Sequence, residues 1–392
     1  MSAPFALVIG GGPAGLMAAE TLARAGLAVT VAEAMPTPAR KFLMAGKSGL
    51  NLTKHQPIDR FLGHFDGAAA MALDFGPEQV MDWAGGLGIQ LFTGSTGRVF
   101  PTGMKASPLL RAWLARLRGM GVDLRTRWRW IGIKDGMRFD TPQGVQLLRP
   151  QVTVLALGGA SWPRLGSDAA WLPILQDAGV KIAPFQPANM GFRVDWSDAM
   201  SRHFGQPVKG TRLVAGDHGS RGEWVISRHG IEGGGIYEIA AALREGAAGR
   251  IDLAPDTDLA AMRMRFQRPK GKLSVGNWLR KVIGDPVKVA LLLEWGRPWP
   301  ADAAGWADRA KALPIRHLGS MDLDRAISSA GGVQAASIGP DLQLTDLPGV
   351  FVAGEMLDWE APTGGYLLTG CLSQGRAAGM AAARRMKGLI GQ

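Results

Sequence analysis

The opening of the chain constrains its fold more than any other segment. An apolar run, Phe5-Ala6-Leu7-Val8-Ile9, leads into Gly10-Gly11-Gly12-Pro13-Ala14-Gly15; a helical pattern continues to Ala25, then come Gly26 and the β-branched run Val29-Thr30-Val31, closing at Glu33. The order is strand, turn, helix, strand. Gly10, Gly12 and Gly15 supply G-x-G-x-x-G: one glycine for the tight turn, one for backbone approach to a pyrophosphate, one for close helix–strand packing. Pro13 and Ala14 open the helix, whose N-terminus presents partial positive charge to phosphates. Glu33, with Ala34 beside it, stands where an acid accepts hydrogen bonds from an adenosine ribose, and an acid there repels a 2′-phosphate. Dinucleotide binding is expected, with NADP disfavoured in this site.

Two further apolar strands are expected to join the same sheet. Val152 to Leu157 runs into Gly158-Gly159-Ala160-Ser161, and Val350-Phe351-Val352-Ala353 runs into Gly354-Glu355. Both have the composition of parallel strands whose carboxyl ends open onto a ligand crevice. Residues from about 185 to 335 alternate short strands with a Trp-, Arg- and Pro-rich helical stretch and read as an insertion. The expected fold is α/β: a discontinuous Rossmann-like dinucleotide-binding domain over 1–184 and 336–392, with an inserted domain over 185–335 whose short strands give way to a helical stretch at about 237–325. The Ala-rich segment from Tyr366 to Met386 reads as a helix closing the first domain.

Composition narrows the function classes. Glycine accounts for 55 of 392 residues, about twice the usual share, and no repeat explains it. Hydrophobic residues at 46% and charged residues at 20%, with no apolar tract of ~18 residues, fit neither a disordered nor a membrane-spanning chain. No basic segment precedes the first apolar run, and the lone Cys371 forms no internal disulfide, so a cytoplasmic protein without membrane contact is expected. Six histidines show no metal-ligand spacing, and no metal is expected. The net charge of +11 is concentrated in two clusters: six arginines between Arg111 and Arg129 against Asp123 alone, and eight basic residues between Arg263 and Lys288 against Asp285 alone. These are candidate RNA contacts; the alternative is a solvated basic face. In a strand, Arg125, Arg127 and Arg129 would share one face.

In combination the motifs resemble the bacterial BaiN/RdsA-type FAD-dependent oxidoreductases over nearly the whole chain. The likeness rests on the fingerprint from Val8 to Glu20 and on the loop from Arg40 to Thr53. It continues through Gly97-Arg98-Val99-Phe100-Pro101, Leu157 to Pro163, Leu165-Gly166-Ser167, Ala330-Gly331-Gly332-Val333, Ala353 to Asp358 and Pro362 to Tyr366. It implies non-covalent FAD held by the discontinuous Rossmann-like domain, an inserted β-rich substrate domain with a helical subdomain, and the reduction of C=C bonds, including uracil to dihydrouracil in rRNA, for which the clusters Arg111–Arg129 and Arg263–Lys288 would be the contacts, or a steroid enone. One departure stands out: where many members have Ser-Gly-Gly-Gly-Arg-Cys-Asn, this chain has Ala45-Gly46-Lys47-Ser48-Gly49-Leu50-Asn51, so Gly49 and Leu50 replace an arginine and a cysteine.

Roles follow for individual residues. Glu355 is expected to accept hydrogen bonds from ribityl hydroxyls. Thr363, Gly364 and Gly365, with Tyr366, open the last helix toward the flavin pyrimidine ring, and Gly158 and Gly159 are flavin-side turns. Arg40 and Lys41 steady the adenine and pyrophosphate, or are a solvated pair. Lys47, Ser48 and Asn51 are the catalytic candidates, for flavin N5 contact or substrate binding, against internal hydrogen bonding of the loop. Cys371 reads as a small buried hydrophobe. NAD(P)H is the expected transient electron donor, although no second fingerprint marks a site for it. The alternatives are a reductase or dehydrogenase of a small-molecule enone or amine, and a non-catalytic FAD redox or RNA-binding protein.

Overall fold

The computed structural model describes residues 4–46, 49–65, 67 and 75–390. Lys47 and Ser48 lie outside the described residues. The chain divides into two compact units, Met1–Gln186 with Ile327–Gln392, and Pro187–Ala326.

The first unit is built on strands Ala6–Ile9 (β1), Val29–Glu33 (β2), Asp123–Thr126 (β3), Val152–Leu155 (β4) and Val350–Val352 (β5). All but β3 are buried along their whole length, which suits runs with no polar face to offer water. They form one sheet in the order β5-β4-β1-β2-β3, every neighbouring pair parallel. The helices that matter for the site are Pro13–Arg24 (α1), Arg40–Ala45 (α2), Ala106–Gly119 (α3) and Tyr366–Ile390 (α4). A Cβ on Gly375 of α4 would stand 2.1 Å from the Ala14 carbonyl oxygen, so glycine there brings α4 close against α1. Because β1 has β2 on one side and β4 on the other, the connections leave in opposite directions and open a crevice at the carboxyl ends of β1 and β4.

Two expectations about this part of the chain need correction. Arg125, Arg127 and Arg129 do not share a strand face. β3 stops at Thr126, Arg127 is left-handed at φ 59°, and Arg129–Gly132 belongs to a separate three-stranded antiparallel sheet with Met137–Thr141 and Gly144–Leu148. The turn is held by Arg127 N donating to Met35 O at 3.2 Å and Trp128 N donating to Glu33 O at 2.9 Å, and it turns Trp130 inward to burial. The insertion ends at Ala326, before position 335, because Ser328–Val333 pairs with Ile182–Ala188 and Ser329 N donates to Glu355.

The second unit has its own core, with Trp224, Phe266, Trp278 and Trp306 buried. Two four-stranded antiparallel sheets lie within it, and its four longest helices among the described residues run over Leu259–Phe266, Val275–Ile283, Pro286–Trp295 and Ala303–Lys311. The stretch expected to be helical from about 237 also contains the strand Gly249–Asp252, paired with Arg212–Ala215 and Leu313–Pro314. Among the described residues, no helix is long and apolar enough to cross a membrane.

Candidate active site

At the end of β1, Gly10 is left-handed at φ +105°, and a Cβ on it would meet Ala156 O at 2.2 Å. Glycine alone lets the ends of β1 and β4 approach this closely. A Cβ on Gly15 would stand 1.9 Å from Gly10 O, so that residue sets the distance between α1 and β1. Gly12 differs: a Cβ there meets nothing within 4 Å, and the residue lines a cleft together with Gly10, Pro13 and Ala14. Backbone at a helix N-terminus with no side chain in front of it suits a phosphate.

Glu33 lines the same cleft, its carboxylate held against the glycine turn. Its Oε2 accepts from Gly11 N at 2.8 Å and its Oε1 from Met35 N at 2.7 Å. Burial pushes the carboxyl above the usual carboxylate range, and these two N–H bonds act in the opposite direction. Ala34, Arg40, Lys41 and Gly158 also line the cleft.

A second cleft, of about 430 Å³, adjoins the first; Pro13, Lys41, Phe42, Glu355 and Cys371 line both. At this shared wall Lys41 Nζ lies 2.6 Å from Glu355 Oε2 and donates to Ser161 Oγ, also at 2.6 Å. Glu355 Oε1 also accepts from Ser329 N at 3.0 Å. Lys41, expected at the adenine and pyrophosphate, is therefore tied to the acid expected at the ribityl chain. The remaining walls are mostly apolar, among them Met44, Leu50, Ile327, Leu367 and Leu368. Trp162 contributes from an unusual left-handed backbone at φ 62°. Thr363, Gly364 and Gly365 lie here at the start of α4, whose first N–H groups have no partner within the helix. Arg98 lines the same cleft, and its Nε would lie 3.8 Å from a Cβ on Gly364. The Cys371 thiol is pushed up to about 12, first by burial and then by the Glu355 charge, so it stays protonated at neutral pH.

Unpaired polar atoms concentrate along these clefts. Six buried side-chain polar atoms among the described residues lack a hydrogen-bond partner. Arg40 Nε, Trp130 Nε1 and Ser167 Oγ belong to residues lining the first cleft, and Asn51 Oδ1 to one lining the second. An unsatisfied buried group costs ~1–3 kcal/mol, so four at one site point to a polar ligand. Phosphate cradle, acid, donors and adjoining apolar cleft together fit a flavin adenine dinucleotide.

Three residues expected at the cofactor line neither cleft with their side positions. Gly15 packs on Gly10, as its place in the fingerprint requires. Gly159 packs on Ser329, whose Oγ would lie 1.9 Å from a Cβ there. The Tyr366 ring is 2% exposed, lies with its centroid 4.9 Å from that of Phe61, and its hydroxyl accepts a hydrogen bond from Gln56 Nε2 at 3.1 Å. It turns into the core because α4 presents Leu367 and Leu368 to the cleft instead. Arg98, Trp130, Trp162 and Ser167 were not singled out as site residues from the sequence. Three of them sit in motifs shared with the resembling family; Trp130 carries no such signal.

The basic clusters are less free than their density suggests. Arg116 pairs with the buried Glu20 at 3.0 Å, Arg125 with Asp123 at 2.7 Å and Arg129 with Asp168 at 2.9 Å. In the second unit Arg263 pairs with Asp308 at 2.9 Å, and Lys288 Nζ donates to the carbonyls of Gly210 and Leu253.

The profile of the HI0933-like protein Rossmann domain matches residues 5–381. The 3-dehydro-bile acid delta(4,6)-reductase of Clostridium scindens is 27% identical over an alignment of 418 residues, covering 96% of this chain and 98% of that one. The ribosomal RNA dihydrouridine synthase of Escherichia coli is 21% identical over 378 residues, covering 92% and 93%. Among solved structures, the 3-ketosteroid-delta4-(5alpha)-dehydrogenase of Rhodococcus jostii, in complex with 4-androstene-3,17-dione, shares the fold at TM-score 0.50 and 17% identity, covering 96% of each chain. A flavocytochrome c3 fumarate reductase does so at TM-score 0.50 and 16% identity, covering 98% of this chain and 78% of that one.

Proposed function

The chain belongs to the HI0933-like Rossmann-domain family, and from that premise, as an FAD-dependent oxidoreductase, we propose that it reduces a carbon–carbon double bond conjugated to a carbonyl, with NAD(P)H as electron donor. Bound FAD supplies the two-electron hydride chemistry. The observation that carries the reading is the second cleft, where a helix N-terminus and a guanidinium meet apolar walls beside the nucleotide cleft. In this reading Gly10 to Ala14 and Arg40 hold the pyrophosphate, Glu33 the ribose, and Glu355, oriented by Lys41, the ribityl hydroxyls. The first turn of α4, with Thr363 before it, compensates negative charge that develops on the ring system. Arg98 donates to the substrate carbonyl, and Asn51 orients the substrate with its unpaired oxygen.

The chemistry of the walls separates this from the amine alternative. Glu355 is the only carboxylate among the described residues lining the second cleft, and Lys41 already neutralises it. An ammonium substrate would find no free counter-charge, whereas a neutral enone needs only a donor at its oxygen and apolar walls around its ring. A uracil in rRNA contains the same conjugated carbonyl and is the second reading. It is favoured by basic side chains left without a partner among the described residues, Arg111 and Arg118 in the first unit and Arg265 and Lys272 in the second.

Anaerobic mixing of the yellow protein with NADH and with NADPH tests the donor, and addition of 4-androstene-3,17-dione tests the acceptor. Bleaching by a nicotinamide followed by return of the oxidised spectrum and a saturated ketone is expected. Flavin that neither nicotinamide bleaches would overturn the donor assignment. An inert enone, together with loss of dihydrouridine from the rRNA of a deletion strain, would replace the small-molecule reading by the RNA one.

A further inference from the structure

Three of the unpaired buried atoms belong to residues that line the first cleft together with Glu33, and their number exceeds what dinucleotide binding requires. Trp130 and Ser167 are each 6% exposed, and neither Trp130 Nε1 nor Ser167 Oγ has a partner. They come from different parts of the chain. Trp130 stands on the strand that Trp128 anchors to the Glu33 carbonyl. Ser167 follows Gly166, where a Cβ would lie 4.0 Å from Glu33 Oε1. The residues next to them, Arg129 and Asp168, form an ion pair at 2.9 Å, so strand and loop are clasped together around Glu33. Arg40 Nε completes the set of unpaired groups.

We propose that Trp130 and Ser167 form an adenine-recognising pair, clasped by Arg129 and Asp168, that anchors the cofactor through its adenosine half. The inference rests on the FAD reading and adds residues to it. An indole N–H only donates, and a hydroxyl donates or accepts. Adenine presents acceptor nitrogens and one exocyclic donor, which these two groups can satisfy. Guanine presents a ring N–H and an amino group that both need acceptors, and the pair offers one acceptor at most. Glu33 serves the ribose and Arg40 Nε the phosphates. Because the contacts are made to the nucleotide and not to the flavin ring, ADP should compete for the site and FMN should not.

The test uses Ser167→Ala, which removes the hydroxyl at nearly constant volume, and Trp130→Phe, which removes the N–H but also replaces the indole by a smaller ring. FAD affinity is measured by fluorescence of released flavin on the purified holoprotein, and thermal melting is followed with and without flavin. Each variant should bind FAD about five- to tenfold more weakly, the loss of one buried hydrogen bond. Flavin-free Ser167→Ala should melt no lower than the flavin-free wild type, because an unsatisfied buried group has been removed; Trp130→Phe also loses packing, so for it only the FAD affinity is compared. Opposite directions in the two states are the signature of ligand recognition; a residue that only packs lowers both. FAD affinities within twofold of wild type in both variants, or melting of Ser167→Ala lowered equally in both states, would overturn the pair and leave the FAD reading intact. ADP should displace FAD at lower concentration than GDP, and equal displacement would overturn the choice of base. A wild-type protein that takes up no FAD would overturn both inferences.

Discussion

Gly12 and Gly15 belong to one motif three residues apart, yet one lines the cleft with open space before it and the other packs on Gly10, and alanine substitutions should separate a binding role from a folding one. At Gly15 the new methyl would start 1.9 Å from the carbonyl oxygen of Gly10, itself held by the backbone of β1. No side-chain rotation relieves that overlap, so α1 must move off the sheet; forced overpacking costs ~1–3 kcal/mol and more when backbone has to shift. Against a total stability of ~5–15 kcal/mol this is a large fraction, and flavin-free Gly15→Ala should lose at least ~3 kcal/mol in urea unfolding. At Gly12 the methyl meets nothing within 4 Å and the backbone is ordinary at φ −80° and ψ −178°. Alanine at an N-cap is somewhat worse than glycine, and the lower entropy of its unfolded chain offsets the loss, so the flavin-free stability should stay within ~0.5 kcal/mol of wild type. FAD affinity should nevertheless fall by roughly 10- to 100-fold, because a charge-assisted hydrogen bond to phosphate, worth ~1.5–3 kcal/mol, is pushed out of reach. Flavin fluorescence titration and urea unfolding of both variants decide the matter. Gly12→Ala with wild-type FAD affinity, or Gly15→Ala with wild-type stability, would refute the division.

Further expectations concern charge and protonation. Thr363→Asp should lower the flavin midpoint potential by roughly 30 mV or more, about 1.4 kcal/mol for two electrons, since a carboxylate at the start of α4 opposes the helix N-terminus; Gly364→Asp is a poorer probe, because φ +123° strains any side chain. A potential that is unchanged or raised, with FAD bound, would remove that turn from the flavin site. Lys41→Met should weaken FAD binding by leaving Glu355 uncompensated, and adding Glu355→Gln should restore part of the loss; additive losses in a double-mutant cycle would show that the pair is not coupled. With its thiol pushed up to about 12 from an ordinary value near 9, Cys371 keeps its proton when the unfolded chain begins to lose it. This thiol should therefore lower stability as pH rises above ~9 by up to ~1.4 kcal/mol per unit, a contribution that Cys371→Ala should remove, making the slope in urea unfolding between pH 9 and 10.5 less negative by that amount. For RNA, Arg265→Ala with Lys272→Ala tests side chains that have no partner among the described residues; an unaltered salt slope in filter binding to an rRNA fragment would exclude them as phosphate contacts.

The legible parts of the fold are those in which one short segment carries its whole physical reason. β1 and β5 are unbroken apolar runs and β2 and β4 are apolar runs interrupted by little more than a threonine, and a sheet covered on both faces tolerates such runs, so their parallel pairing could be read directly. β3 could not: Asp123–Thr126 is a polar edge strand that pairs with β2 on one side only, and nothing in its sequence distinguishes it from the loop beyond it. The Arg–Trp alternation from 125 to 130 misled for a related reason. Alternation signals a strand, but a single left-handed residue at Arg127 divides it between two sheets, and the interaction that selects this turn comes from Glu33 and Met35, some ninety residues earlier.

The same rule divides the site. The phosphate cradle lies within six consecutive residues, and its glycines announce it. Glu33 is found by its place at the end of the second strand. The Lys41–Glu355 pair joins residues 314 positions apart, and each residue alone supports a different role. The Trp130–Ser167 pair is further from view, because an indole and a hydroxyl are ordinary core residues until the fold leaves them without partners. Arg129 carries the same lesson to the basic surface. Counted in sequence it adds to a cationic cluster; in the structure it is bound to Asp168 and clasps the nucleotide cleft. A charge count therefore overstates the cation available to RNA wherever the opposing acid lies far along the chain. Asp168→Asn should accordingly weaken FAD binding more than it alters the salt dependence of any RNA binding.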